Sequence, residues 1–213
     1  MAISLVNNLS MNRSDTAVAA QVWTATSATL SDFQAAASSD YVKIQTTTLG
    51  VATTPWTIDG WIDDTVYKNY VIYIYNLQTA DGGAWIEGRW NIAGSPHTSS
   101  DYTYTFAQAH SGGSIDSTYS TSATVFRICT SSNPSESEKR LTATITLYDP
   151  TNTNFYHGHT QTVFGYDNTT NFIGAAGGGT LKLTTALTGI SFISSSGGNI
   201  IADSTVTIYG IKA

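Results

Sequence analysis

Residues 188–213, TGISFISSSGGNIIADSTVTIYGIKA, decide the fold class. Ile190, Phe192 and Ser194 recur at every second position and so share one face of an extended segment. Ser196, Gly197, Gly198 and Asn199 are turn formers, and beyond them Val206, Ile208 and Gly210 alternate with Tyr209 and Ile211. Period-two alternation bounded by Gly, Ser and Asn predicts a half-buried β-hairpin whose second strand holds the C-terminus in a sheet.

The same pattern recurs upstream. YVKIQTTT (41–48), AWIEGRWNI (84–92), YTYTFAQA (102–109), ATVFRICT (123–130), LTATITLYD (141–149), FYHGHTQTVFG (155–165) and LKLTTAL (181–187) all read as strands between turn residues. YVIYIYNLQ (70–78) is the most apolar run and predicts a central strand covered on both faces. Gly177-Gly178-Gly179 reads as a hairpin connection ahead of the strand at 181, and the charged stretch Glu136–Arg140 as an exposed hairpin tip. About nine or ten strands without intervening helix predict an all-β domain, a jelly-roll-like β-sandwich over 41–213. There is no fixed-period repeat, which argues against a propeller or solenoid.

Residues 1–40 have a different character, small, polar and weakly periodic, with one helical turn predicted after Ser31-Asp32. Leu5, Leu9, Trp23 and Phe33 are too few for a core of their own. Two readings stand: a loosely attached terminus, or an extended N-terminal arm that docks these side chains on a neighbouring subunit.

Charged residues make up 11% of the chain, against roughly 25% in ordinary soluble domains, and Ser, Thr, Asn and Gly replace them. Twelve Tyr, five Trp and seven Phe provide ample apolar surface to bury, which argues against disorder. With net charge −6 and no run of Lys or Arg, nucleic acid is not an expected partner. No apolar window is long enough to span a membrane and no secretory leader is recognisable, so synthesis in a cytoplasm and no membrane insertion are expected. Asn8, Asn12 and Asn168 head glycosylation sequons that are then idle. The single cysteine, Cys129, reads as a small buried hydrophobe.

Groups that could carry chemistry are sparse. His157 and His159 stand at i and i+2, so both project from one strand face and could chelate a metal. Without a local Cys or carboxylate cluster, they read first as a pair on the solvent face of a polar strand. His97 and His110 fall in Ser/Gly-rich loops and read as solvated. Asp59, Asp63 and Asp64 form the densest acidic spot, which turn chemistry explains and which a carbohydrate-active site could also use. No nucleophile elbow, P-loop, dinucleotide fingerprint or zincin helix occurs, so no cofactor and no enzymatic activity are expected. Trp61, Trp85 and Tyr102 are the aromatics held back for binding, as a sugar-stacking platform or a subunit contact.

NNLSMNRSDTAVAAQVWTATSATLSDFQAA (7–36), IDGWIDDTVYKNYVIYIYNLQTADGG (58–83) and the ending ISFISSSGGNIIADSTVTIYGIKA (190–213) together resemble small structural proteins of tailed bacteriophages, of the podovirus-like type from marine bacteria and cyanobacteria. The resemblance implies a virion component, either a tail-fibre or appendage subunit touching host surface glycans or a capsid decoration protein. It implies a homo-oligomer, with a trimer as the first expectation, bound to other capsid or tail proteins, and it brings no catalytic residue with it. A carbohydrate-binding or carbohydrate-active module is the reading from a different class.

Overall fold

The computed structural model describes residues 21–25, 31–35, 40–129, 140–167 and 171–212. The chain divides into two compact units, Met1–Ser39 and Asp40–Ala213. In the first unit β1 (Gln21–Ala25) pairs antiparallel with β2 (Ser31–Ala35), placing Trp23 opposite Phe33. The helical turn expected after Ser31 is therefore a strand; Ser31 and Asp32 pair with Ala25 and Thr24, a cross-strand partnership that a local capping signal does not reveal. Leu5 and Leu9, and the hairpin tip expected before Arg140, lie outside the described residues.

The second unit is all-β, with antiparallel pairing throughout. Its strands are β3 (Tyr41–Thr48), β4 (Trp56–Asp59), β5 (Tyr67–Leu77), β6 (Ile86–Ile92), β7 (Ser95–Pro96), β8 (Tyr102–His110), β9 (Ile115–Ala123), β10 (Phe126–Arg127), β11 (Leu141–Tyr148), β12 (His157–Tyr166), β13 (Phe172–Leu181), β14 (Gly189–Ser194) and β15 (Thr205–Lys212). The large sheet runs β3-β15-β5-β11-β12-β13-β8-β9; the small one runs β10-β6-β14-β4, with β7 on β6. Alternation fixes which side of the large sheet is inward. Leu141, Ala143, Ile145 and Leu147 on β11 are buried, as are Tyr70, Ile72 and Ile74 on β5. Trp90 of β6 and Phe126 of β10 reach across to His159 of β12, and Gln161 Nε2 donates to the Arg127 carbonyl, so the two sheets share one sandwich-like core.

The terminal stretch is not a hairpin. β14 pairs with β4 and β6 in the small sheet, and β15 with β3 and β5 in the large one. The ten residues between them make a crossing from sheet to sheet, pinned by Ile200, which forms backbone bridges to Thr53 and Thr79. β15 is half-buried as predicted, whereas β14, between β4 and β6, is buried on both faces apart from Ile193, and alternation is silent on which strand lies alongside.

The Gly177–Gly179 run is likewise not a connection but the middle of β13, and 182–187 is the loop that follows. A β-carbon on Gly177 would lie 2.5 Å from the Thr105 carbonyl oxygen of β8, and one on Gly178 would lie 2.6 Å from the His159 carbonyl oxygen of β12. β13 is hemmed in by both neighbours, a close backbone approach that glycine permits.

Candidate functional site

The residues held back for surface binding are mostly interior. Trp61 is 3% exposed; its Nε1 donates to the Ile58 carbonyl at 3.1 Å and its ring meets Tyr70 edge-on at 5.2 Å. Tyr102 is fully buried, its hydroxyl bonded to the Trp90 amide at 3.0 Å and the His97 carbonyl at 3.2 Å, and burial pushes its phenol well up. Neither can contact a ligand at the surface, because each fills the space beneath a turn-rich connection. Trp85 is half-buried, with the Arg127 guanidinium 3.7 Å above its ring, and that cation takes up the face a sugar would use.

His157 and His159 do share a face, but the inward one. His157 Nε2 donates to the Thr185 carbonyl at 2.8 Å. His159 lies 4.4 Å from Phe126 and 5.5 Å from Trp90, centroid to centroid, and burial drives its pKa down to about 3. Among the described residues no group of three or more His, Cys, Asp or Glu could hold a metal. The solvent-face reading fails because β12 turns its odd-numbered residues to the core.

The loop histidines are also engaged. His97 Nε2 is 2.8 Å from Asp101 Oδ2. His110 closes β8, with Nε2 at 2.8 Å from Asp116 and Nδ1 at 3.3 Å from Asp167, tying β9 and the β12–β13 loop to that strand end. The acidic spot is structural: Asp59 Oδ1 accepts from Asn91 Nδ2 at 2.9 Å and Thr188 Oγ1 at 2.8 Å, and Asp63 Oδ1 accepts from Thr65. Burial pushes the Cys129 thiol up to about 11, so it stays protonated and unreactive near neutrality.

What lies open is the outer face of the large sheet. Within the strands from β15 to β9 its outward positions are Thr, Tyr, Ala, Gly, Phe, Ser, Val, Ile and Asn, and charge stands only at the margins of that face, at Lys43 on the edge strand β3 and at Arg140 ahead of β11. Thr144 and Thr146 stand beside Thr162 and Thr160 on β12, and Thr103 Oγ1 bonds Thr180 Oγ1 at 2.6 Å. Two shallow grooves of about 440 and 370 Å³ run over the small residues of β13 and β8, rimmed by Tyr119 and Ile115 of β9, which are 79% and 78% exposed. A third, of about 450 Å³, lies among Asn76, Arg140, Thr142, Phe164, Tyr166 and Phe172. The Tyr166 and Phe172 rings meet edge-on at 5.7 Å.

The outward aromatics were missed because sequence reasoning looked for tryptophan. The usable signal was the Thr-x-Thr alternation of β11, β12 and β15, which marks faces that are polar yet uncharged. No protein-family model, no curated protein and no solved structure matches the chain.

Proposed function

We propose that the chain is a virion structural protein of a tailed bacteriophage, surface-exposed, whose work is contact between protein surfaces. In this reading it is a tail-fibre or appendage subunit with a jelly-roll-like sandwich, docked through residues 1–40, with capsid decoration as the other placement. The observation that supports it is the outer face of the large sheet from β15 to β9, whose strand positions carry no charge. In a chain of net charge −6, so broad a face without a charge is suited to contact, since self-repulsion is least there. The likeness of residues 7–36, 58–83 and 190–213 to phage structural proteins supports the same assignment.

The test is antibody labelling of intact virions viewed by electron microscopy. Label on tails is the expected result, label over the capsid selects decoration, and unlabelled virions refute the proposal. Removing residues 1–40 should abolish incorporation while the sandwich stays folded.

The groove at Phe164, Tyr166 and Phe172 favours a second reading, a carbohydrate-binding module. Aromatic rings stack on sugar C–H faces, and Asn76, Thr142 and Arg140 supply polar groups beside them. Glycan-array binding lost in Phe164→Ala would support it.

A further inference from the structure

We infer that the outer face of the large sheet is a two-fold interface with a second copy of this chain, its axis running along the strands between β11 and β12. This rests on the contact-protein reading above and names the partner and geometry.

The face has a ridge on one side and a trough on the other. Tyr73 and Tyr75 of β5, with Tyr209 of β15 meeting Tyr73 edge-on at 5.7 Å, form the ridge. Outward positions on β13 and β8 form the trough, with Ala176 beside Ala107 and Gly174 beside Ala109. Between them stand the threonines of β11 and β12. In the order β15-β5-β11-β12-β13-β8, ridge and trough are equidistant from the β11–β12 boundary.

A half-turn about that boundary carries β5 over β13 and β15 over β8. The ladder register says which residues then meet. Tyr73, Thr144, Thr162 and Ala176 lie on one row across the sheet, so Tyr73 of one copy faces Ala176 of the other and Thr144 faces Thr162. On the next row Thr142 pairs with Phe164 and Phe164 with Gly174, while β5 bulges opposite Thr142 between Ile74 and Leu77, which brings Tyr75 near Gly174 of the other copy. Large side chains meet small ones on the flanks and threonines meet threonines at the centre, the self-complementarity that an isologous interface requires. An axis across the strands would instead set ridge against ridge.

Area and charge agree. Six strands, β15 to β8, at about 4.8 Å spacing and about eight residues at about 3.3 Å give roughly 750 Å² of flat sheet per copy, near the ~800 Å² per partner of stable complexes. No like charges oppose one another anywhere on those strands. The pairing also covers the second face of β5, the strand whose sequence reads as buried on both sides. It makes a pair and not the trimer first expected.

The experiment is sedimentation of the full chain, wild type against Ala176→Arg and Tyr73→Ser, with far-UV circular dichroism and melting as folding controls. Ala176 points outward with room around it, so the arginine burdens the interface and spares the fold. The expected result is a two-chain species for wild type and a twofold lower mass for Ala176→Arg with unchanged folding, Tyr73→Ser shifting the same way. A single-chain wild type at every soluble concentration, a trimer, or an Ala176→Arg protein as associated as wild type overturns the inference. So does a single-chain wild type whose glycan binding is lost in Phe164→Ala, because the face then belongs to a sugar. Virion labelling is scored separately: labelled virions with a single-chain protein sink the interface alone, and unlabelled virions with a two-chain protein sink the virion reading alone.

Discussion

The His159 imidazole packs against the Phe126 ring, centroids 4.4 Å apart and planes tilted by 51°, in the middle of the contact between the two sheets. Among the described residues neither of its ring nitrogens has a hydrogen-bond partner. A histidine so placed is a neutral aromatic filler, and charging it inside the core carries the full desolvation penalty.

Acid sensitivity follows from that packing. The folded pKa is driven from 6.5 to about 3 by burial, so the unfolded chain takes up this proton first as pH falls. The contribution to stability is complete above pH 6.5 and is lost progressively as pH drops toward 3. Linkage gives about 1.4 kcal/mol per pH unit, hence a loss of about 2 kcal/mol between pH 7 and pH 5 from this group. His159→Phe should remove that slope while keeping the ring contact with Phe126 and Trp90. Urea titrations of both proteins at pH 7 and pH 5 check it; equal losses in the two would refute the assignment.

Glycine in β13 sets a second expectation. A β-carbon on Gly179 would lie 2.3 Å from the Thr103 carbonyl oxygen, whereas one on Gly158 would meet nothing within 4 Å. Gly179→Ala must push β8 away from β13, and overpacking of this kind costs about 1–3 kcal/mol. Gly158→Ala, on the outer face of β12 where this chain leaves room for a methyl, should leave the stability of the single chain unchanged or slightly raised through the unfolded state. Paired chemical melts separate them, and equal midpoints would contradict the close approach.

Asp59 joins three strands and is expected to act through stability alone. Its Oδ1 accepts from Asn91 on β6 and Thr188 ahead of β14. Asp59→Ala should cost about 1–2 kcal/mol, because both donors lose their acceptor at a partly open site. Asp64 is exposed, and Asp64→Asn should stay within ~0.5 kcal/mol of wild type. Thermal unfolding measures both; a carbohydrate hydrolase activity lost in Asp59→Ala would instead restore the acidic cluster as a reacting site.

The class of the fold was legible because alternation is a local property: β5, β6, β11 and β12 stand where their apolar spacing puts them. Pairing was not legible. Nothing between Ser194 and Thr205 tells β14 to join β6 and β15 to join β5, since that choice depends on strands more than a hundred residues away. Gly177–Gly179 misled for a related reason, as glycine serves both turns and close strand approaches and only the neighbours decide which. Trp61 and Tyr102 lie in or beside turn-rich segments, which made them look exposed, yet their polar atoms bond to backbone groups that no strand partners. The face of β12 was the hardest to read, because His, Gln and Gly on one side and Thr, Phe and Gly on the other differ little in hydropathy.

Tyr102 gives the sharpest contrast between an interior and a surface role. β10 covers that edge of β6 only as far as Gly88, opposite Phe126, and β7 joins it only at Asn91. The Trp90 amide points into that gap, on the edge of β6 away from β14, and the Tyr102 hydroxyl stands in as its acceptor at 3.0 Å. Tyr102→Phe keeps the ring but leaves a buried N–H without an acceptor, which costs about 1–3 kcal/mol. For a domain of this size that is a fall in melting temperature of about 2–10 °C. Tyr119→Phe, at an exposed position on β9, is the control and should melt with wild type. Were Tyr102 a ligand-contacting residue, its substitution would leave the melting temperature in place and change binding instead. Differential scanning calorimetry of the two variants beside wild type reads the difference directly.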